Sequence, residues 1–410
     1  MTTKKPVRSS HTLNLELEQL DEYDEIAEEQ EEPPLDAVAE SAITTTDWTV
    51  ETIVSQIQKG NIDLNPQFQR RFAWTNLRRS QFIESLALRY PVPQIVLARD
   101  PSRSNRLLVL DGKQRLMTLA QFFGVKKIGR TPLDLDPLKL TGLAIKTEWN
   151  DQTLSSIKRS GVRNRRWIDD LAVLENATIR SVVVSTWQSE EFLYSIFVRL
   201  NQGSLPLSPQ ELRQALKHGE FTSFADSYSG KSPGLRKILG LDGPDFRMRD
   251  VELFIRYIAF RLRASTYRGN LKLFLDETCD FFNQNWATQK TAIEKECRNL
   301  EASIAVALEV FGDENAFKKY MKTGYEARLN RAVFDVVVYA LSEPTVRNAL
   351  KQPAKAKKLK TEFERLSLTP QFRKSVESTT KSLDATRTRF TRFLAIVNNV
   401  TGCDVQFGLE

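Results

Sequence analysis

Five consecutive residues have the types best suited to phosphate chemistry in this sequence: Asp111, Gly112, Lys113, Gln114 and Arg115. Lys113 and Arg115 could neutralise phosphate charge, and an Arg can bind two phosphate oxygens together. Asp111 could hold a metal ion or a water molecule. The stretch therefore predicts a ligand that bears phosphate. The alternative is a common Asp-Gly turn followed by a solvated, basic start of a helix.

The flanking residues predict the elements that would position this stretch. Leu107 to Leu110 is an apolar run of strand length, and apolar residues recur at helical spacing from Leu116 to Phe123. Gly112 would make the turn between them, because glycine tolerates backbone angles that other residues avoid. The stretch would then lie at a helix N-terminus, where unpaired N–H groups and the helix dipole favour an anion.

The composition argues against several classes of enzyme and against a secreted or membrane-spanning protein. The 410 residues include only two histidines, His11 and His218, which leaves little for a His-based metallonuclease or a Ser-His-Asp hydrolase. Three widely spaced cysteines predict neither a disulfide framework nor a metal site, as expected in a reducing cytoplasm. No apolar run approaches the ~20 residues that span a bilayer, and no secretory signal is recognisable. We therefore expect a cytoplasmic protein with no membrane partner.

Charge is distributed unevenly along the chain. Residues 11–40 contain 12 Asp and Glu and no Lys or Arg, whereas residues 41–410 contain 56 Lys and Arg against 40 Asp and Glu. The first 40 residues predict an acidic, disordered tail. The basic remainder predicts a polyanionic partner such as DNA, although ordinary surface solubility would need the same charges. A basic patch at 158–167 offers Arg163, Arg165 and Arg166 as DNA contacts, or as a face exposed only to solvent.

The remaining patterns predict an α+β protein. Apolar and β-branched runs at 94–99 and 178–184 predict strands, and Thr46-Asp47 is a plausible first helix cap. From 271 to 400 the sequence has only two glycines and three prolines, which favours helices. We therefore predict a small mixed sheet with helices over 41–200, followed by a large all-helical domain over 201–410.

Several motifs in fixed order carry a family resemblance. Between about 45 and 285 the sequence closely resembles the N-terminal domain family of GmrSD-type restriction endonucleases. Family hallmarks include a Gln-Arg…Trp segment, a Pro-x-Pro strand entry, an Asp-Gly-Gln-Gln-Arg motif and a Leu-Asn…Leu-Ser…Glu-Leu-Arg segment. The matching stretches are Asn65–Trp74, Ile83–Leu86, Pro91–Leu97, Asp111–Arg115, Phe197–Arg213 and Phe246–Arg256.

The same order of motifs also resembles the more distant ParB/sulfiredoxin-like fold. That resemblance implies that Gly112 and Arg115, with Gln114 of the same motif, form a phosphate cradle. Gln69 and Arg70 would line this site. Asn201 would reach the phosphates or their metal.

The family resemblance implies a nucleotide-binding, NTP-hydrolysing module of a bacterial defence system against phage DNA. Asp111 would position Mg²⁺ or water, and Lys113 and Arg115 would neutralise developing phosphate charge. Lys113 stands where the family usually has Gln. Because no histidine follows His218, the family's His-dependent nuclease domain is expected to be absent, and any cleavage would have to come from a separate subunit or from the N-terminal domain itself.

Two other functions remain open at this point. A ParB-like nuclease could use the same residues directly on DNA, although no clustered carboxylates indicate a two-metal site. A non-catalytic module with a degenerate pocket could bind DNA or protein, and Lys113 and the missing nuclease domain slightly favour it.

Overall fold

The structure is a computed structural model that describes residues 42–64, 74–100, 103, 105–133, 135–162, 164–187, 192–193, 196, 208–377 and 380–409. Two compact units divide the chain at Leu216, and the second begins at Lys217. The tail predicted over 1–40 lies outside the described residues. No helix in the described ranges combines the length and apolarity that crossing a membrane requires.

The first unit contains a five-stranded mixed sheet and six helices within the described residues. Its elements are β1 (Ile43–Thr49), α1 (Val50–Lys59), β2 (Ile62–Asp63), α2 (Asn76–Ala87), β3 (Ile95–Arg99), β4 (Leu107–Asp111), α3 (Lys113–Phe122), β5 (Lys127–Ile128), β6 (Thr131–Pro132), α4 (Leu154–Gly161), α5 (Arg165–Asn176), β7 (Thr178–Val184) and α6 (Pro209–Leu216). The sheet order is β1-β7-β3-β4-β2; β5 and β6 form a separate small hairpin. Pairing is antiparallel for β1–β7 and β3–β4, and parallel for β7–β3 and β4–β2.

Strand β4 is apolar on both faces because both faces of the sheet are covered. Leu107 and Val109 belong to a large core with Leu97, Leu116 and other residues of the helices, whereas Leu110 belongs to a smaller core on the other side. The continuous apolar run that predicted this strand is therefore the signature of a buried strand. Its burial fixes the position of Asp111 at the strand's carboxyl end.

The second unit is helical apart from one small hairpin. Its elements are α7 (Glu220–Ser229), α8 (Pro233–Leu239), α9 (Arg249–Arg263), α10 (Leu271–Gln284), α11 (Trp286–Phe311), β8 (Tyr320–Met321), β9 (Gly324–Tyr325), α12 (Arg331–Leu341), α13 (Pro344–Leu350), α14 (Pro353–Ser367), α15 (Pro370–Glu377) and α16 (Leu383–Thr401). The predicted α+β class is confirmed: a small mixed sheet comes first and a helical region follows.

Local signals succeeded where sequence neighbours decide the structure. Ser208 and Glu211, whose residue types and three-residue spacing are typical of a capping box, form one: Glu211 N–H donates to Ser208 Oγ over 3.1 Å and Ser208 N–H to Glu211 Oε2 over 2.7 Å. The predicted cap at Thr46-Asp47 is wrong, because these residues lie inside β1, which pairs with β7 along its whole length. The hydroxyl of Thr49 caps α1 instead.

Candidate functional site

The site begins at the junction of β4 and α3, where Gly112 turns the chain. Gly112 has φ +93°, in the left-handed region, and serves as the N-cap of α3. A Cβ built there would lie 2.5 Å from Ile95 Cγ2. Any other residue would therefore be strained and would clash with β3. The fold itself requires this glycine, because Ile95 occupies the space that a side chain would need. That space is therefore not open to a ligand.

A β-bulge adjusts the strands beside this turn. Val96 pairs with Asp111 and Leu97 pairs with Val109, so Leu110 is the extra residue on β4. Bulges are frequent next to functional sites because they re-aim one side chain. Here the bulge sets the direction of Asp111 as β4 ends.

Arg115 is the most buried charged residue of the predicted motif, with only 6% of its surface exposed. Its Nη2 donates to the backbone oxygen of Gln94 and to Asp111 Oδ2, each over 2.8 Å. The buried Nε of Arg115 has no hydrogen-bond partner and lies 3.3 Å from where a Gly112 Cβ would be. The hydrogen bonds of Nη2 thus fix the guanidinium on one side, and its Nε faces the turn at Gly112.

Asp111 is held by this ion pair but remains partly accessible, with 19% of its side chain exposed. Among the described residues, Arg115 is its partner, through Oδ2. The second carboxylate oxygen, Oδ1, accepts no hydrogen bond from the described part of the chain. Asp111 therefore has an oriented carboxylate with one oxygen available to a cation or a water molecule.

The first turn of α3 has the electrostatic character predicted for an anion site. No acidic residue and no side-chain cap occupies it, and Lys113 adds a positive charge. An α-helix leaves its first N–H groups without acceptors inside the helix. Gln114 Oε1 accepts a hydrogen bond of 3.4 Å from Trp74 N–H, so this turn also anchors the chain that leads into α2.

Several predicted site residues lie outside the described residues: Gln69, Arg70, Asn201 and Arg163. The described residues on either side of 65–73 are informative, however. Leu64 directly follows β2, which pairs with β4, and Trp74 is bonded to Gln114. Trp74 is therefore bonded to the motif itself, whereas Leu64 follows a strand whose partners, Leu107 and Leu108, begin β4.

Arg165 and Arg166 lie on a different element, the first turn of α5, and both are exposed. No hydrogen bond or ion pair that the structure records joins them to Asp111 or Arg115. The structure thus assembles Asp111, Gly112, Gln114 and Arg115 into one site, with Lys113 in the same turn. Of the predicted DNA contacts, Arg165 and Arg166 lie apart from this motif, on α5.

Sequence reasoning missed the acceptor role of Gln94 and the packing role of Ile95. It also missed Glu84, a buried carboxylate on α2 that accepts hydrogen bonds from the N–H groups of Ala144, Ile145 and Lys146 over 2.7–3.3 Å. One signal was present, since Asp111 and Arg115 have the four-residue spacing of an ion pair. No comparable local signal marks Glu84, whose partners lie about 60 residues away.

No group of three or more His, Cys, Asp or Glu in the described ranges could hold a metal ion. Asp111 is therefore the carboxylate that this site offers to a cation. A single carboxylate suits Mg²⁺ that arrives with a nucleotide, because Mg²⁺ commonly uses one or two carboxylates together with substrate phosphates and water.

Comparison with known proteins identifies the domain that contains this site. Residues 50–217 match the family model described as GmrSD restriction endonuclease, N-terminal domain. Neither the curated proteins nor the solved structures gave a match. The match indicates a component of a restriction or anti-phage system, for which DNA and a nuclease are the expected partners. The family whose model matches residues 50–217 is thus the one that the sequence resembles, the N-terminal domain family of GmrSD restriction endonucleases.

Proposed function

We propose that this domain binds a nucleoside triphosphate at the β4–α3 junction and hydrolyses it as part of a restriction system that acts on DNA. One observation carries the proposal. The carboxylate of Asp111, at the end of a buried central strand, is oriented by buried Arg115 and keeps one oxygen without a described partner. Beside it begins a helix with no acidic first turn and no side-chain cap.

The phosphates would bind at the start of α3. Its first N–H groups and its dipole favour negative charge, and Lys113 adds a full positive charge there. Phosphoryl transfer depends mainly on positioning and on stabilising charge that develops on phosphate oxygens. A helix N-terminus and one cation meet that need without a protein nucleophile.

Asp111 would hold Mg²⁺ that enters with the nucleotide, and the ion would supply charge neutralisation on the phosphates. In this arrangement Arg115 is a positioning residue, because its guanidinium fixes the carboxylate of Asp111 and the Gln94 backbone oxygen. The lack of a carboxylate cluster in the described residues argues against a two-metal nuclease. DNA cleavage would then come from a separate nuclease subunit.

A second candidate is a nucleotide- or DNA-binding module without catalysis. The ion pair itself favours it, because a carboxylate already paired with Arg115 at 2.8 Å is a weaker ligand for a cation. Both functions predict binding, but only the first predicts turnover of a nucleoside triphosphate. A binding assay alone therefore cannot separate them.

The test is binding and turnover of the four NTPs with Mg²⁺, with and without DNA, for the wild-type chain and Asp111→Asn. Asn keeps an oxygen that can accept from Arg115, but it lacks the charge that holds a cation, so turnover should fall by at least about tenfold. Asp47→Asn is the matched control, because Asp47 is paired with Arg180 at 3.4 Å on the exposed edge of the same sheet. Thermal unfolding of both variants monitors the fold.

Each outcome decides between the candidates. Turnover that is lost in Asp111→Asn and kept in Asp47→Asn supports the proposal. Turnover unchanged in Asp111→Asn would rule out the role of Asp111. Nucleotide binding without turnover by the wild-type chain would establish the non-catalytic module instead.

Lys113 provides a further check of the phosphate site. Lys113→Gln restores the residue usual in the family and should keep most of the nucleotide affinity, because the helix N-terminus remains. Lys113→Glu places a negative charge in the same turn and should lower affinity by about tenfold or more. Equal affinities of the two variants would show that phosphate does not bind at this turn.

A further inference from the structure

Helices α4 and α5 follow each other in the chain and approach closely where α4 ends; we call this pair the hairpin. A capping box begins α4, in which Thr153 N–H donates to Ser156 Oγ over 2.7 Å and Ser156 N–H donates to Thr153 Oγ1 over 3.3 Å. At the other end of α4, a Cβ on Gly161 would lie 2.5 Å from Ile168 Cδ1. The glycine therefore lets the two helices approach each other at the tip.

The base of this hairpin is anchored in the main core of the first unit. Ile157, Leu171 and Leu174 are buried there. Lys146 Nζ lies 2.6 Å from Asp170 Oδ2, and this ion pair is largely buried. The apolar faces of both helices are thus buried in the core, and this packing holds the hairpin in place.

The tip carries four cations, Lys158, Arg159, Arg165 and Arg166, all exposed. The side chains of the three arginines make no hydrogen bond or ion pair in the part of the chain that the structure describes. Lys158 has only Glu175, at 3.9 Å. Arg165 and Arg166 also occupy the first turn of α5, which has no acidic residue, although cations there oppose the helix dipole. Lys158 and Arg159, in the last turn of α4, favour the dipole of that helix, whereas Arg165 and Arg166 give α5 no such stabilisation.

Between the cations lies Val162, with 86% of its surface exposed. Ile168 beside it is also partly exposed. We use the name hairpin tip for Lys158, Arg159, Val162, Arg165 and Arg166. It presents an exposed aliphatic side chain together with four exposed cations.

We propose that the hairpin tip is a contact surface for duplex DNA, in which its cations bind backbone phosphates and Val162 packs against the groove between them. Exposed Arg and Lys side chains bind backbone phosphates, and proteins that kink or widen a groove often insert an aliphatic residue. The choice of DNA as partner rests on the proposed function.

A membrane surface would attract the same cations but needs a broad apolar face. Amphipathic helices bind bilayers through a continuous apolar side. In α4 and α5 that side is buried in the core, so the tip offers a bilayer little more than Val162 and part of Ile168. The geometry favours DNA.

The test is equilibrium binding of the full chain to labelled duplex DNA without nucleotide, across salt from about 50 to about 200 mM. Arg165→Ala/Arg166→Ala should weaken binding by about tenfold or more at the lower salt. It should also reduce the slope of log K against log salt by about 1.8, or about 0.9 for each lost phosphate contact. The matched control is Lys357→Ala/Lys358→Ala on α14, which removes the same charge from two adjacent, exposed and unpaired lysines in the described residues.

Val162 is tested separately because its role is not electrostatic. Val162→Ser should weaken binding by about threefold with an unchanged salt slope, since an aliphatic contact is lost and no phosphate contact is. Ile145→Ser is its control, because Ile145 is an exposed aliphatic residue outside the tip. Both positions are exposed, so the fold should tolerate either change.

The proposal is supported if the tip variants weaken binding and both controls do not. It is overturned if the two double variants weaken binding equally, if neither does, or if the wild-type chain binds vesicles of phosphatidylserine and phosphatidylcholine but no duplex. Unchanged binding by Val162→Ser would overturn the groove contact. The binding assay contains no nucleotide, so its result does not depend on whether the protein hydrolyses NTP.

Discussion

Each unit of the protein contains an Asp–Arg pair, and the two pairs differ in what they leave available. In the first unit, Arg115 is buried while Asp111 keeps 19% of its side chain exposed at the end of a strand. In the second unit, Asp335 is completely buried and takes two hydrogen bonds from Arg256, over 3.0 and 2.6 Å. Arg389, also buried, lies 3.6 Å from the same carboxylate.

The difference shows how one ion pair can be committed to holding the fold together while another stays available to a ligand. Asp335 is fully used by two arginines on α9 and α16, and burial lowers the pKa of Arg389 although Asp335 works to raise it. Such a cluster can only join helices. Asp111 has a single arginine and an open side, because the turn at Gly112 ends the strand at the surface. The first pair can therefore serve a ligand, whereas the second cannot.

The largest effect is expected in the second unit. Asp335→Asn should lower the free energy of unfolding by about 3–5 kcal/mol, because it removes the buried carboxylate that Arg256 and Arg389 share, and among the described residues only Arg256 keeps a second carboxylate, Glu252 at 3.6 Å. Denaturant unfolding followed by circular dichroism measures the loss. Asp384→Asn, at an exposed aspartate 3.9 Å from Arg387, should cost less than about 1 kcal/mol. Similar costs for the two variants would contradict the structural role of Asp335.

An intermediate effect is expected at the turn that exposes Asp111. Gly112→Ala should lower the free energy of unfolding by about 2–4 kcal/mol, from left-handed backbone strain and crowding against Ile95. Gly124→Ala is the matched control, because Gly124 has φ +66° and open space around its Cα. It should cost only the strain, about 1–2 kcal/mol. Equal losses would show that the contact with Ile95 does not define the turn.

The smallest effect is a pH dependence at a half-buried ion cluster of the second unit. Burial works to raise the pKa of Glu377, but hydrogen bonds from Lys319 and Arg373 outweigh it and lower the pKa below its usual 4.5. A lowered carboxyl pKa stabilises the fold above the unfolded pKa, and that stability is lost as pH falls through the folded pKa.

The difference in unfolding free energy between wild type and Glu377→Gln should therefore reach no more than about 1 kcal/mol near neutral pH. It should shrink as the pH falls below the unfolded glutamate pKa of about 4.3, and it should vanish once the pH is below the folded pKa. Urea unfolding at several pH values measures it, with Glu309→Gln as an exposed control. A difference that stays constant in acid would show that the ion cluster does not stabilise the charged form.

Much of the first unit's local structure could be predicted because it depends on neighbouring residues. The strand at 107–110, the turn at Gly112 and the helix after it follow from apolar periodicity and from glycine's backbone freedom. Helices α4 and α5 were not predicted, because the polar and basic residues at their junction obscure the helical pattern. The position of β1 was also missed, since pairing with β7 outweighs the local preference for a helix cap at Thr46.

The sequence by itself determined that Asp111, Gly112, Lys113, Gln114 and Arg115 form one turn at the start of a helix, because adjacency and periodicity specify it. Only the tertiary structure decided that Arg115 points inward to Asp111 and Gln94, and that Ile95 fills the space beside Gly112. Those contacts depend on which strands pair and where the bulge falls. The physical reason is burial. Buried Arg115 holds the carboxylate of Asp111 in place, while one oxygen of that carboxylate stays accessible.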